Sequence, residues 1–523
     1  MMPILVALMI LVVALGRGGY HPWATLVLEL GAAGLLLGVV FDVLRKTSPE
    51  RRRRLIRQRR VWKRLPRRAR RDPNVTILPP GSPLDDEAGE LDQNDHVLLL
   101  GYPFKRTGLG LPLLLLSIWL GLSVVPLPSE LLRAISPEAY SFRQDTAALS
   151  SGEPAIGAEP LSLAPFLTLR GLWQWVAYLA LFYVAFCLAG DAKRVERLTF
   201  LLFLGGIGFG AFGVVQWLLG VQSQSGTVFS IAAIRATGSF GNPNHYATFM
   251  GMLLLCGLGW LGARRVTLSR PSGRCNQHVD GQEAKARLVM GGLGIVAMGL
   301  GLIFSLSRSG ITFTLAGCVA LALLTRQTAN ATVSDTIEIG QPRRRLRSYR
   351  GYWALALAVA GFAVWIGIGP VLDRFAELPE QWEAEQARPQ VWKDSLGAVE
   401  DFWLMGSGLS SYRYVTASYR TFSGRTFYSW AHNDYLQFVI ELGVPGLLLL
   451  LWMSVLVWRK AREKQKELAM DPSASHLHAG YCAAAILLAL HSFTDFSLHL
   501  PANFALLSVM LGFVLGPIAR VRA

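Results

Sequence analysis

Long apolar runs recur from one end of this chain to the other. A helix needs roughly 20 mostly apolar residues to cross a hydrocarbon core about 30 Å thick. Twelve runs of this kind fall near residues 3–16, 23–44, 107–126, 168–189, 198–219, 243–262, 288–306, 309–325, 351–369, 436–458, 479–498 and 502–519. Lipid offers no partner to free backbone amides and carbonyls, so such runs fold as helices. The expectation is an all-α, polytopic membrane protein of about 12 transmembrane helices. The run at 3–16 is short and lacks the basic start of a secretory signal peptide, so it is read as a span, with a cleaved or re-entrant segment as the alternatives.

Composition agrees with this reading. The chain is 52% hydrophobic and 16% charged, where soluble domains carry about 25% charged residues, and a soluble multidomain enzyme is excluded. Cys187, Cys256, Cys275, Cys318 and Cys482 have no C-x-x-C spacing, so neither a zinc site nor a disulfide framework is indicated.

The formal charge of +16 is unevenly placed. With both termini on the cytoplasmic side, 39 of the 51 Lys and Arg residues fall there, which satisfies the positive-inside rule. The densest cluster, Arg51 to Arg71, suits anionic membrane lipids at about 1 kcal/mol per basic residue. No nucleic-acid partner is expected, because neither aromatic interleaving nor a binding fold accompanies it. The acidic, Pro-rich stretch Asp72 to Asp95 reads as a flexible linker.

Three parts follow: residues 1–126, with N-terminal spans and a basic cytoplasmic loop at 45–106; an outer loop at 127–167, rich in Pro, Ser and Gly and read as irregular; and a membrane domain at 168–519 that includes a large outer loop at 370–435. In that loop Pro389 can open a helix, and Trp392, Leu396, Val399 and Trp403 recur at helical spacing. The expectation is an amphipathic helix on the membrane or over a cavity mouth, ended by Gly406-Ser407-Gly408 and followed by Tyr412, Tyr414, Tyr419 and Tyr428.

Polar residues at the outer ends of spans are the candidates for chemistry. Ala431-His432-Asn433-Asp434 leads into a span, followed by Glu441, Gly443 and Gly446, which gives His-Asn, nine residues, Gly, two residues, Gly. An imidazole, with an ordinary pKa near 6.5, is a competent general base; the plain alternative is an interfacial residue at a helix start. Arg308 follows Ser307 and precedes Ser309-Gly310 between two spans, where it either snorkels or binds an anion beside helix amides. Arg235 precedes Asn242-Pro243-Asn244, in which Asn242 can cap a helix. Arg388 stands before Pro389, which pushes it out of helical geometry. Glu441 is read as a carboxylate facing the bundle and pairing with an arginine. His245, His491, Asp495 and His499 lie near the same face, are read as supporting polar groups and fit no metal site.

These segments resemble the O-antigen ligase and polymerase superfamily of bacterial membrane proteins. The resemblance rests on the His432 motif, on Arg235-Ala-Thr-Gly238-Ser-Phe-Gly241-Asn242-Pro243-Asn244 and on Ser307-Arg308-Ser309-Gly310, and covers about residues 168–515. It implies a GT-C-like membrane glycosyltransferase of the bacterial inner membrane, with its active site on the periplasmic face and a large periplasmic loop before the tenth helix. It also implies transfer of a glycan from an undecaprenyl-pyrophosphate-linked donor to a hydroxyl of lipid A-core, without cofactor or metal. His432 would be catalytic, Arg308, Arg388 and Arg235 would bind the donor pyrophosphate, and Asn433, Glu441 and Asn244 would support them. Arg374, Arg413, Arg420 and Arg425 compete with Arg388 in the same loop. A polymerase extending a growing glycan is the alternative within the family. A lipid-linked glycan transporter is the alternative outside it, although no inverted repeat is visible.

Overall fold

The computed structural model of the chain describes residues 1–46, 96–99, 102–151, 157–220, 235–268, 277–334, 388–421 and 428–517, with single helical positions at 361 and 376. The basic segment at 51–71, the acidic linker and the apolar run at 351–369 lie outside the described residues.

The chain opens with α1 (Met2–Leu15) and α2 (Pro22–Lys46), followed by α3 (Gly110–Leu122). Two helices outside the apolar runs come next, α4 (Ser129–Ile135) and α5 (Pro137–Ser151). The main bundle then contains α6 (Pro165–Leu188), α7 (Ala192–Leu218), α8 (Pro243–Leu268), α9 (Gln277–Phe304) and α10 (Arg308–Ser334). After α11 (Arg388–Phe402), the chain ends in α12 (Asp434–Glu467), α13 (Pro472–His491) and α14 (Pro501–Leu515). Seven of these helices, α2, α6, α7, α8, α10, α12 and α13, are long and apolar enough to cross a membrane, and four shorter apolar helices accompany them. The protein is an all-α polytopic membrane protein. The described β-structure is limited to two short antiparallel strand pairs, His96–Leu99 with Tyr102–Lys105 and Pro126–Leu127 with Glu159–Pro160.

Local chemistry sets the helix starts. Asp191 accepts from the Lys193 and Arg194 amides at the head of α7, and proline occupies the first turn of α6, α13 and α14, where its missing N–H removes no helical bond. α8 is the central helix, buried along 94% of its apolar stretch. It crosses α13 at backbone contact: a Cβ on Gly259 would lie 3.0 Å from Gly480 Cα. Small residues at such a crossing let packing substitute for the hydrophobic drive that lipid does not supply.

Three expectations change. The loop at 127–167 contains α4 and α5, because Ser129 and Pro137 open helices whose first turns carry Glu130 and Glu138, favourable at the positive end of the dipole. The run at 479–498 is displaced. Asp471 caps a helix that begins at Pro472 and stops at His491, which frees residues 492–499 to form a turn. The helix in the large loop is present, but it buries Val391, Asp394, Ser395, Ala398 and Phe402, whereas Leu396 and Trp403 are about half exposed. Polar groups on the buried face are satisfied: Asp394 accepts from Gln390 and Thr421, and Ser395 bonds to Tyr412.

The first glycine of the histidine motif has a mechanical reason. Gly443 breaks α12 at φ +61°, ψ −170°, a backbone region essentially closed to other residues. The segment Trp403–Gly408 crosses at the break. Ser407 and Gly408 donate to the carbonyls of Ile440 and Glu441 at 2.8 and 2.9 Å, Trp119 Nε1 donates to Leu442 O, and Val444 N donates to Trp403 O. The carbonyls freed by Pro445 thereby find partners. A Cβ on Gly443 would sit 2.5 Å from Gly406 N. Gly443→Ala is therefore expected to cost more than the ~1–3 kcal/mol of backbone strain alone. Thermal unfolding in detergent tests this, and an unchanged midpoint would mean that the break does not need glycine.

Candidate functional site

The turn between α13 and α14 gathers residues that are far apart in sequence. Asp495 is fully buried there. Its Oδ1 lies 3.2 Å from His432 Nδ1 and 3.6 Å from His245 Nε2, and its Oδ2 lies 3.2 Å from Arg388 Nη2. The Phe496 amide donates to Oδ1 at 2.9 Å. Burial opposes charge on this carboxyl, but the Arg388 guanidinium, the nearby His245 ring and the hydrogen bond from His432 outweigh it and hold the group well below the usual carboxylate range. A charged carboxylate at Nδ1 fixes the proton of His432 on that nitrogen and leaves the lone pair on Nε2. The His432 side chain is 22% exposed while Asp495 is 0% exposed, so the imidazole is reachable and its partner is not.

Each member is held by its own element. Asn433 caps α12, accepting from the Leu436 amide at 3.1 Å. His432, the residue before this cap, sits at φ +50°, a left-handed conformation that costs a non-glycine residue about 1–3 kcal/mol and persists only when its surroundings enforce it. The enforcing contacts are the edges of Phe496 and Tyr428 against the ring and the Trp392 indole, which donates to Ala431 O at 2.9 Å. Helix α11 thus reaches the site at two points, through Trp392 and through Arg388 at its first position.

The starts of α8 and α10 pack against the same turn. Ser307 Oγ donates to Asn244 Oδ1 at 2.9 Å, and Ser309 Oγ lies 2.7 Å from His491 Nε2. Asn242 accepts from the Asn244 amide, and Thr248, one turn into α8, bonds to His491 and Ser497. Arg308 is the first residue of α10. Arg235 donates to the carbonyls of Ser305 and Leu306 at 3.0 and 3.2 Å, bracing the turn that presents Arg308. Leu306 in that turn is at φ +50°.

Below His432, a second buried network ties α12 to the same turn. Gln437 accepts from the Ala431 amide and donates to Glu441 Oε1. Glu441 also accepts from the amides of Ser410 and Tyr412, so the partners that hold this carboxylate are largely backbone N–H groups of the large loop. His499 Nδ1 lies 2.6 Å from Asp434 Oδ1, and its Nε2 lies 4.0 Å from Glu441 Oε2. Burial alone lowers the pKa of His499, but the two carboxylates prevail and raise it to about 9. A folded value above the ordinary 6.5 gives stability that is complete below pH 6.5 and lost as pH rises through about 9. Thermal stability is expected to decline across that interval, and His499→Gln to flatten the decline; an identical slope in the variant would assign it to other groups.

Of the residues singled out in the sequence, the structure brings His432 and Arg388 together on one carboxylate. It sets Asn244 and the Arg308 turn against the neighbouring residues, makes Asn433 a cap and Glu441 a loop anchor, and turns Arg235 onto backbone carbonyls. Asp495, the hub, carries no sequence motif; its one signal is a carboxylate near the end of the apolar run at 479–498. Gln437 falls among the nine unspecified residues of the histidine motif, and Trp430, stacked on Phe496 at 5.1 Å and 9°, had no signal. Among the described residues no group of three His, Cys, Asp or Glu side chains could hold a metal ion.

A membrane-embedded helical bundle with an imidazole and a guanidinium sharing one buried carboxylate defines the class of site. Residues 293–451 match the family model described as O-Antigen ligase, and this stretch of the chain is similar to that family. The match includes His432, Arg308 and Arg388, whereas Asp495 and His245 come from outside it. No match is found among curated proteins.

Proposed function

We propose that this chain is a GT-C-like glycosyltransferase of the bacterial inner membrane that acts at the periplasmic face. It transfers a glycan from an undecaprenyl-pyrophosphate-linked donor to a hydroxyl of lipid A-core. The observation that carries this reading is the shared carboxylate: Asp495 orients His432 through Nδ1 and holds Arg388 at 3.2 Å beside it.

His432 Nε2 takes the proton of the acceptor hydroxyl as that oxygen attacks the anomeric carbon. The new C–O bond forms while the bond to the pyrophosphate oxygen breaks with its electron pair, giving inversion in one displacement. A pyrophosphate leaving group needs its developing negative charge stabilised, and fixed guanidinium groups supply this with planar donors. Arg388 and Arg308 take that role, and Arg235 supports Arg308 from behind.

Reconstitution in proteoliposomes with purified lipid-linked glycan, lipid A-core and no ATP tests the reading. The expected product is glycan on lipid A-core. Growth of lipid-linked glycan alone would favour a polymerase, and movement of donor without transfer would favour a transporter. In the same assay Arg308→Ala is expected to weaken donor use by tenfold or more, with charge-assisted contacts worth about 1.5–3 kcal/mol each. Arg308→Lys is expected to recover part of the loss if charge suffices, whereas equal loss in both variants would assign the role to the planar fork. Full activity in Arg308→Ala would remove this residue from the donor site.

A further inference from the structure

The Asp495 carboxylate has side-chain partners of two kinds. Arg388 and His432 reach it from the accessible side, with side chains 32% and 22% exposed. His245, the third residue of α8, reaches it from within the bundle and is 3% exposed. The two imidazoles share one ring: His432 meets Phe496 at 5.0 Å and His245 meets it at 4.4 Å, both edge to face. A ligand entering the site therefore meets Arg388 and His432, whereas His245 is shielded from it.

His245 Nε2 is buried without a hydrogen bond to any described residue, and Asp495 Oδ1 stands 3.6 Å from it. Buried polar groups are almost always paired, so an exception beside a charged group calls for a reason. A shift of roughly 0.6 Å would bring the pair to the ordinary ~3.0 Å of an N–H···O bond. Arg388 holds the same carboxylate through one contact, Nη2 to Oδ2 at 3.2 Å, where a guanidinium fork can offer two parallel bonds. His245 also adjoins the turn on the other side of the site, because Asn244 before it accepts from Ser307, the neighbour of Arg308.

We propose that His245 is a positioning residue that takes over the Asp495 carboxylate when Arg388 turns to an anionic ligand. The anion is the donor pyrophosphate named under Proposed function, and in that respect the inference rests on that reading. Arg388 cannot serve Asp495 and a pyrophosphate through the same nitrogen. As the guanidinium leaves Oδ2, the Nε2–H of His245 closes on Oδ1, and the carboxylate stays charged and aimed at His432 Nδ1. Without His245, releasing Arg388 leaves a buried carboxylate short of a partner, and donor binding weakens by that cost.

Binding without transfer tests the handover. The full-length protein in phosphatidylcholine nanodiscs is titrated with synthetic undecaprenyl pyrophosphate that carries no sugar, and the bound lipid is read by native mass spectrometry. His245→Phe, which keeps a ring against Phe496 and removes the N–H, is expected to weaken binding about tenfold, the worth of one charge-assisted contact. His245→Gln, whose amide restores a donor, is expected to recover most of that loss. In an Asp495→Asn background Arg388 has no carboxylate to leave, and there His245→Phe is expected to change binding by no more than about twofold. Equal binding by the wild type and His245→Phe would overturn the proposal. So would the same tenfold loss in the Asp495→Asn background, which would make His245 a packing residue. If the handover appears as described but no glycan is transferred from the complete donor, the inference stands and the enzymatic reading falls. Full transfer with binding indifferent to His245 removes the inference and leaves the enzymatic reading in place.

Discussion

Replacing His432 with alanine is expected to lower glycan transfer by about 10²–10⁴-fold, the usual contribution of a positioned general base. Insertion and donor retention are expected to persist. The imidazole contributes little to the core, since its ring is partly exposed and its neighbours Phe496 and Trp430 remain stacked on each other. Alanine at φ +50° still carries strain, so a modest loss of stability accompanies the change. Transfer within a few-fold of the wild type would remove His432 from the chemical step.

Asp495→Asn is expected to have the next largest effect, about 10²–10³-fold on turnover. An amide in place of the carboxylate can donate to Nδ1, which moves the imidazole proton to Nε2 and blocks the position that must accept the substrate proton. The same change leaves Arg388 without its counter-charge. Breaking a fully buried pair costs about 3–5 kcal/mol, but the Arg388 side chain is 32% exposed and can turn toward water, so the stability loss falls below that range. Turnover is expected to fall further than donor affinity. A variant that loses donor binding and keeps its turnover on saturation would make Asp495 a support for Arg388 alone.

Much of the fold was legible because lipid imposes one rule on every span: apolar side chains outside, backbone bonds inside. Eleven of the twelve apolar runs coincide with described helices, and the largest displacement, at residues 472–499, arose where small and polar residues pack inside the bundle. Ser473, Ser475, His476 and His478 open α13 and find their partners in Thr267, Gln465 and the Pro472 carbonyl, so hydropathy underweights the start of the helix, while Phe493, Phe496 and Leu498 inflate the turn that follows it. Asp495 was consequently absorbed into the end of a supposed span. The large-loop helix was legible by period but not by face, because its buried side carries Asp394 and Ser395, whose partners come from Thr421 and Tyr412.

The candidate site divides in the same way. His432, Arg388 and Arg308 stand in local sequence contexts that expose a charge or an imidazole at a helix start, and those contexts can be read from neighbours. Their mutual placement depends on Asp495, 63 residues after His432 and 107 after Arg388, and no local pattern encodes a separation of that kind. Arg235 shows the converse. Its position near a capping Asn-Pro-Asn suggested an anion, whereas its guanidinium satisfies the carbonyls of the buried turn after α9, a demand visible only once Ser305 and Leu306 turn those carbonyls toward it.

The coupling between His432 and Asp495 is measured most directly by single-turnover glycan transfer in His432→Ala, Asp495→Asn and the double variant. Residues that act as one unit are strongly non-additive, so the double variant is expected to transfer at the rate of His432→Ala alone. Losses that instead multiply would show that the carboxylate works independently of the imidazole, and the shared-carboxylate account of this site would not survive.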